Sequence, residues 1–96
     1  MLMGDLNIRR SIKASLQEAI EQKHYYWLDD DLFIIEFEGG IDEENDEYTH
    51  QVQYSKKDNE WIFSRWYEYD VTDTDFSKQE KEYIKMVVIN LIKGWF

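Results

Sequence analysis

The residues with chemical potential in this chain are its carboxylates. Asp and Glu number 21 against 11 Lys and Arg, for a net charge of −10. Acids grouped this densely raise three kinds of chemistry: cation binding, acid–base catalysis and recognition of a basic partner. A calcium loop of the helix–loop–helix type needs acids at positions one, three and five, Gly at six and Glu at twelve. Counting from Asp42, Glu44 and Asp46 fit, but Glu47 takes the Gly position and Gln53 the final Glu position. Counting from Asp73, Asp75 fits, and Ser77 and Lys78 fail. No dedicated metal site is expected. Catalysis has little to work with either. His24 and His50 are the only histidines, and His50 shares a face with Tyr48, Val52 and Tyr54, which makes it a packing residue. No Ser sits in a nucleophile-elbow context, and Gly39-Gly40 matches no phosphate-binding loop. Carboxylate pairs carry no weight when acids are this abundant. The sequence therefore predicts no catalytic residues, no metal and no cofactor.

Recognition remains, and charge placement favours it. Residues 24–55 contain ten acids and no Lys or Arg: Asp29, Asp30, Asp31, Glu36, Glu38, Asp42, Glu43, Glu44, Asp46 and Glu47. Residues 1–23 carry a net +1, residues 56–77 a net −3 and residues 78–96 a net +2. Solubility alone calls for scattered charge. Here one region is emptied of bases, and it is also rich in Tyr and Trp, including Tyr48 and, just beyond it, Trp66. Aromatic anchors beside charge are the composition of a protein-binding surface: rings supply contact area and charge steers the encounter. Those ten acids, with Tyr48 and Trp66, form the predicted partner-binding set. The partner expected is a basic protein surface. Direct binding to nucleic acid or an anionic membrane is excluded by the same charge, since phosphate contacts require Lys and Arg.

These residues need elements to position them. Ile8, Ile12, Leu16 and Ile20 recur every four residues, which predicts an amphipathic helix from Asp5 to about Lys23 with Asp5 at its N-cap. Tyr25-Tyr26-Trp27-Leu28 reads equally as a helix end or a short strand, and Asp29-Asp30-Asp31 as a solvated turn. Leu32 to Glu38 alternates as a strand with Phe33, Ile35 and Phe37 on one side. An acidic loop follows Gly39-Gly40, and Glu47 to Ser55 alternates again. Lys56-Lys57-Asp58-Asn59 is a tight turn, because Asp and Asn tolerate left-handed backbone. Glu60 to Asp70 reads as a long aromatic strand and Val71 to Phe76 as a polar connector. Ser77 with Glu80 three residues on is a capping box that opens a second helix reaching Trp95. At least half of Trp61, Phe63, Tyr67 and Tyr69 are expected in the core with Phe33, Ile35, Phe37, Ile84, Val88 and Leu91.

The expected fold is a single α+β domain over residues 1–96. It has two layers: a three-stranded antiparallel sheet flanked in sequence by an N-terminal and a C-terminal helix. Both helices lie on one face and the other face is left to water. The absence of Cys excludes a disulfide scaffold and a zinc–thiolate site. No apolar run has the length of a secretion signal or a membrane span, so the expected compartment is the bacterial cytoplasm.

In element order and composition the chain resembles the small acidic anti-CRISPR proteins that phages direct against RNA-guided Cas nucleases. The local echo is Leu91-Ile92-Lys93-Gly94-Trp95, closing an amphipathic helix. The resemblance implies inhibition by DNA mimicry, in which acids occupy the basic pocket of the nuclease that reads DNA; the matching candidates are the 42–47 loop and the 29–31 turn. Two other classes fit the same electrostatics or size: an immunity protein or antitoxin that neutralises a basic toxin, and a small structural or regulatory domain that forms a homodimer through an open strand edge or through Trp95 and Phe96.

Overall fold

A computed structural model describes residues 8–94. The chain runs α1 (Arg10–Glu21), β1 (Tyr25–Trp27), β2 (Leu32–Ile41), β3 (Glu47–Ser55), β4 (Glu60–Trp66), β5 (Val71–Asp73) and α2 (Lys78–Ile92). The strands form one antiparallel meander in the order β1-β2-β3-β4-β5. The fold is α+β with two helices on an antiparallel sheet, as the periodicity predicts, but the sheet has five strands where three were expected. Both additional strands are three-residue edges. Tyr25–Trp27 pairs with Phe33–Ile35, and Val71–Asp73, expected as a connector, pairs with Ser64–Trp66. Segments this short carry no alternation to read; they are strands because a long neighbour offers them a ladder. The expected strand from Glu60 to Asp70 stops at Trp66, where a turn closed by the Tyr67 amide on the Asp70 carbonyl (2.8 Å) reverses the chain.

The alternation within the central strands sets the layers. Register pairs Phe33 with Tyr54, Ile35 with Val52 and Phe37 with His50. Continuing across, Tyr54 meets Trp61 and Val52 meets Phe63. This face takes the helices. Ile12, Leu16 and Ala19 of α1 and Ile84, Val87 and Val88 of α2 are buried with it, and Phe76 joins from the connector. Burying each of the Ile, Leu and Val side chains contributes about 1.5–3 kcal/mol. Trp61 and Phe63 pack at its margin, whereas Tyr67 and Tyr69 do not.

Both helix starts converge on one carboxylate. Ser77 caps α2 by accepting from the Glu80 amide (3.1 Å), and Glu80 accepts in return from the Ser77 amide (2.9 Å). The rest of Glu80's acceptor capacity goes to Arg9, at the N-cap position of α1: its main-chain N–H (3.0 Å), Nε (2.8 Å) and Nη2 (2.9 Å). The Glu80 side chain is only 3% exposed. The expected N-cap, Asp5, lies outside the described residues; α1 begins at Arg10 with no side-chain cap of its own.

Among the described residues, no helix lies on the opposite face of the sheet. That face presents Leu32, Ile34, Glu36 and Glu38 from β2, and Thr49, Gln51, Gln53 and Ser55 from β3. Glu60, Ile62, Ser64 and Trp66 follow from β4, then Val71 and Asp73 from β5. None of these is basic. No helix of the described residues is long and apolar enough to cross a membrane.

Candidate functional site: the acidic hairpin end

β2 and β3 are joined at one end of the sheet by a loop whose side chains build its own support. Asp42 Oδ1 accepts from the amides of Glu44 (2.9 Å) and Asp46 (3.0 Å), and the Asp42 amide donates to the Asp46 carbonyl (3.0 Å). Asn45 takes the left-handed backbone (φ 67°) that this reversal needs. Just before the loop, Gly39 forms a bulge: Glu38 pairs with Thr49 and Gly40 with Tyr48, leaving Gly39 over. Only a glycine fits there, because a Cβ would run into the Tyr48 ring and come within 2.7 Å of the Tyr48 carbonyl. The bulge bends the hairpin end, as extra residues in a ladder do.

A second loop, between β4 and β5, is tied to the first by two tyrosines. Tyr67 Oη donates to Asp42 Oδ2 (2.8 Å) and Tyr69 Oη donates to Asp46 Oδ2 (2.6 Å). The amides at Asp46 and Glu44 and the Tyr67 hydroxyl hold the Asp42 carboxyl below its ordinary range. In turn Asp46 pushes the Tyr69 hydroxyl up to about 12, and Asp42 raises that of Tyr67.

Two cavities flank this end. One, of about 620 Å³, is lined on the helix side by Asp42, Glu43, Glu44, Tyr67, Asp70 and Asp75, and it holds a cation of the chain itself, Arg65. The Arg65 guanidinium lies 4.2 Å from the Tyr48 ring centroid and pairs with Asp75 at 3.2 Å. The other, of about 640 Å³, opens on the uncovered sheet face. Glu38, Asp46, Glu47 and Glu68 line it with Ile41, Tyr48, Thr49, Trp66 and Tyr69, and no lining residue is basic.

The predicted binding residues therefore separate. Glu38, Asp46, Glu47, Tyr48 and Trp66 meet in the outer groove, and Asp42, Glu43 and Glu44 face the cavity behind it. Glu36 stands farther along the open face, half-buried. Asp29, Asp30 and Asp31 lie at the other end of β2, about 30 Å away for a ten-residue strand. Two of these three acids are occupied. Asp29 accepts from the amides of Asp31 (2.7 Å) and Leu32 (2.9 Å). Asp31 accepts from the Lys57 amide and from Ser55 Oγ (2.7 Å), and these hydrogen bonds hold its carboxyl low, with the charges of Lys57 and Lys56 adding to them. That turn is a structural joint with its counter-charge in place, and it shares no surface with the 42–47 loop.

The sequence reading missed Glu68, Tyr69 and Asp70, because it placed them in a strand. The run Tyr67-Glu68-Tyr69-Asp70 did carry a signal, two acids alternating with two aromatics immediately after a strand. It also treated the loop acids as interchangeable. Asp42 and Asp46 are hydrogen-bonded parts of the scaffold, while Glu43, Glu44 and Glu47 are exposed.

Several other bases have partners of their own. Arg9 is held by Glu80 and Asp75. Lys81 lies 5.5 Å from the Phe63 ring and Lys85 lies 6.0 Å from the Trp61 ring, over the sheet margin that α2 covers. His50 is buried among Phe37, Tyr48 and Phe76; burial and the nearby Arg65 push its pKa down to about 4, so it is neutral at physiological pH. No group of three or more His, Asp or Glu among the described residues is arranged to hold a metal ion.

No protein-family model, curated protein or solved structure matches the chain.

Proposed function

We propose that this protein works by binding rather than catalysis. It presents the acidic hairpin end to a basic, nucleic-acid-binding surface of another protein and so inhibits it. The target class is a bacterial defence nuclease such as a Cas effector, and the mode is occupation of a groove built for phosphates. One observation carries the reading: among the described residues, the outer groove gathers four carboxylates around exposed aromatic rings with no base lining it. Collecting like charge costs roughly 1 kcal/mol per close pair in water, and a basic partner would return that cost as affinity and association rate. Self-association through the same face would bring two copies of the acidic groove together, which the charge opposes.

The test is capture on the immobilised protein from a bacterial lysate, identification of the bound protein by mass spectrometry, and an assay of its nucleic-acid cleavage. The reading expects a partner with a positive contact patch, cleavage that falls as the protein is added, and association that slows steeply with salt, since exposed charges are screened within about 8–10 Å at physiological ionic strength. A partner bound through a neutral patch, with salt-independent association, would defeat it.

A further inference from the structure

The two cavities at the hairpin end have the same ingredients and differ in one. Tyr48 and Tyr69 line both. In the inner cavity, an aromatic ring and a carboxylate are bridged by a guanidinium: Arg65 stacks on Tyr48 and pairs with Asp75. In the outer groove, rings and carboxylates stand together without any cation. Glu38, Glu47 and Glu68 have no Lys or Arg partner among the described residues, and no ring or cation stacks on Trp66, which is 42% exposed.

We infer that the outer groove receives an arginine side chain of the partner protein, its guanidinium laid on Trp66 and its N–H groups shared among Glu38, Glu47 and Glu68. This rests on the binding role proposed above and names the group recognised. Arginine is chosen over lysine on chemical grounds. A guanidinium is planar, so it can lie flat on an indole while its edge donates to carboxylates, whereas an ammonium is a compact, strongly hydrated charge that does not stack. Arg65 shows this hairpin already making that contact once. A second copy of this chain is a poor occupant, because the same acidic groove would accompany any arginine it offered.

The experiment titrates the full chain, labelled with nitrogen-15, with an oligoarginine and an oligolysine peptide of equal length at low salt. The oligoarginine should bind roughly tenfold more tightly and should shift the Trp66 indole N–H resonance while leaving that of Trp61 in place. Trp66→Ala should abolish the preference for arginine, and Trp66→Phe should keep part of it. Should Trp66→Ala fail to fold, the double variant Glu47→Gln/Glu68→Gln replaces it; neither carboxylate supports a hydrogen bond of the fold among the described residues. Equal affinity for the two peptides, with the Trp66 resonance unmoved, would overturn the arginine groove and leave a generally basic partner standing. Failure of both peptides to bind would overturn both proposals.

Discussion

Glu80→Gln is the sharpest test of how the molecule is assembled. Glu80 is 3% exposed and accepts from the Ser77 amide and from three N–H groups of Arg9, so one carboxylate fastens the starts of α1 and α2 to each other. Arg9 holds its pKa down at about 2 from an ordinary 4.5. Since one pK unit is about 1.4 kcal/mol, that depression corresponds to about 3 kcal/mol of folding free energy as an upper figure. The Arg9 side chain is 47% exposed, so solvent screens part of the attraction, and the expected loss in Glu80→Gln at pH 7 is about 2 kcal/mol. The sign follows from linkage. A carboxyl whose folded pKa is depressed stabilises fully above its unfolded pKa of about 4.5, and the contribution disappears as pH falls toward 2. Urea unfolding followed by tryptophan fluorescence at a series of pH values measures it. The gap between wild type and variant should be constant from neutrality to about pH 5 and should narrow steadily below that. A gap under about 0.5 kcal/mol at pH 7, or one that does not narrow in acid, would refute the reasoning.

Other perturbations test other parts. His50, buried and neutral, binds its proton at about 4, whereas the unfolded chain binds it at about 6.5. Wild-type stability should therefore fall as pH drops through that window, and His50→Phe should flatten the decline in the same urea series. Gly39→Ala places a methyl against the Tyr48 ring and carbonyl and should cost about 1–3 kcal/mol, read as a lowered thermal midpoint. Tyr67→Phe removes the hydroxyl from Asp42, so amide hydrogen exchange should quicken at Glu44 and Asp46 while the α2 amides keep their protection.

What could be read in advance was local or periodic. The alternation of Phe33, Ile35 and Phe37 against Glu36 and Glu38 gave the faces of β2 correctly, and Ser77 with Glu80 gave the start of α2. Non-local features were invisible. The capping glutamate's partner, Arg9, is 71 residues away, β5 reads as a connector until β4 offers it an edge, and the local pattern left β1 open between a helix end and the short strand it forms. The acidic site was half legible for a similar reason. Counting charges finds carboxylates but not what they touch. Asp29, Asp31, Asp42 and Asp46 spend theirs on turn amides and hydroxyls, and Lys56 and Lys57 sit beside the 29–31 turn. Unpaired carboxylates also stand elsewhere, but at the hairpin end they surround exposed rings, and there Glu68 joins them from a loop the sequence concealed inside a strand.

The central claim is that the location of this charge, and not its amount, makes the molecule a binder. The direct measurement compares two variants of equal net charge against the captured partner. One carries Glu43, Glu44, Glu47 and Glu68 reversed to Lys, leaving the hydrogen-bonded Asp42 and Asp46 intact. The other carries the same reversal at Glu18, Glu21, Asp58 and Glu82, exposed positions away from the groove. The account predicts that the first loses binding by orders of magnitude while the second stays within a few-fold of wild type. Equal loss in both would mean that overall charge is all the partner senses, and the hairpin end would not be its site.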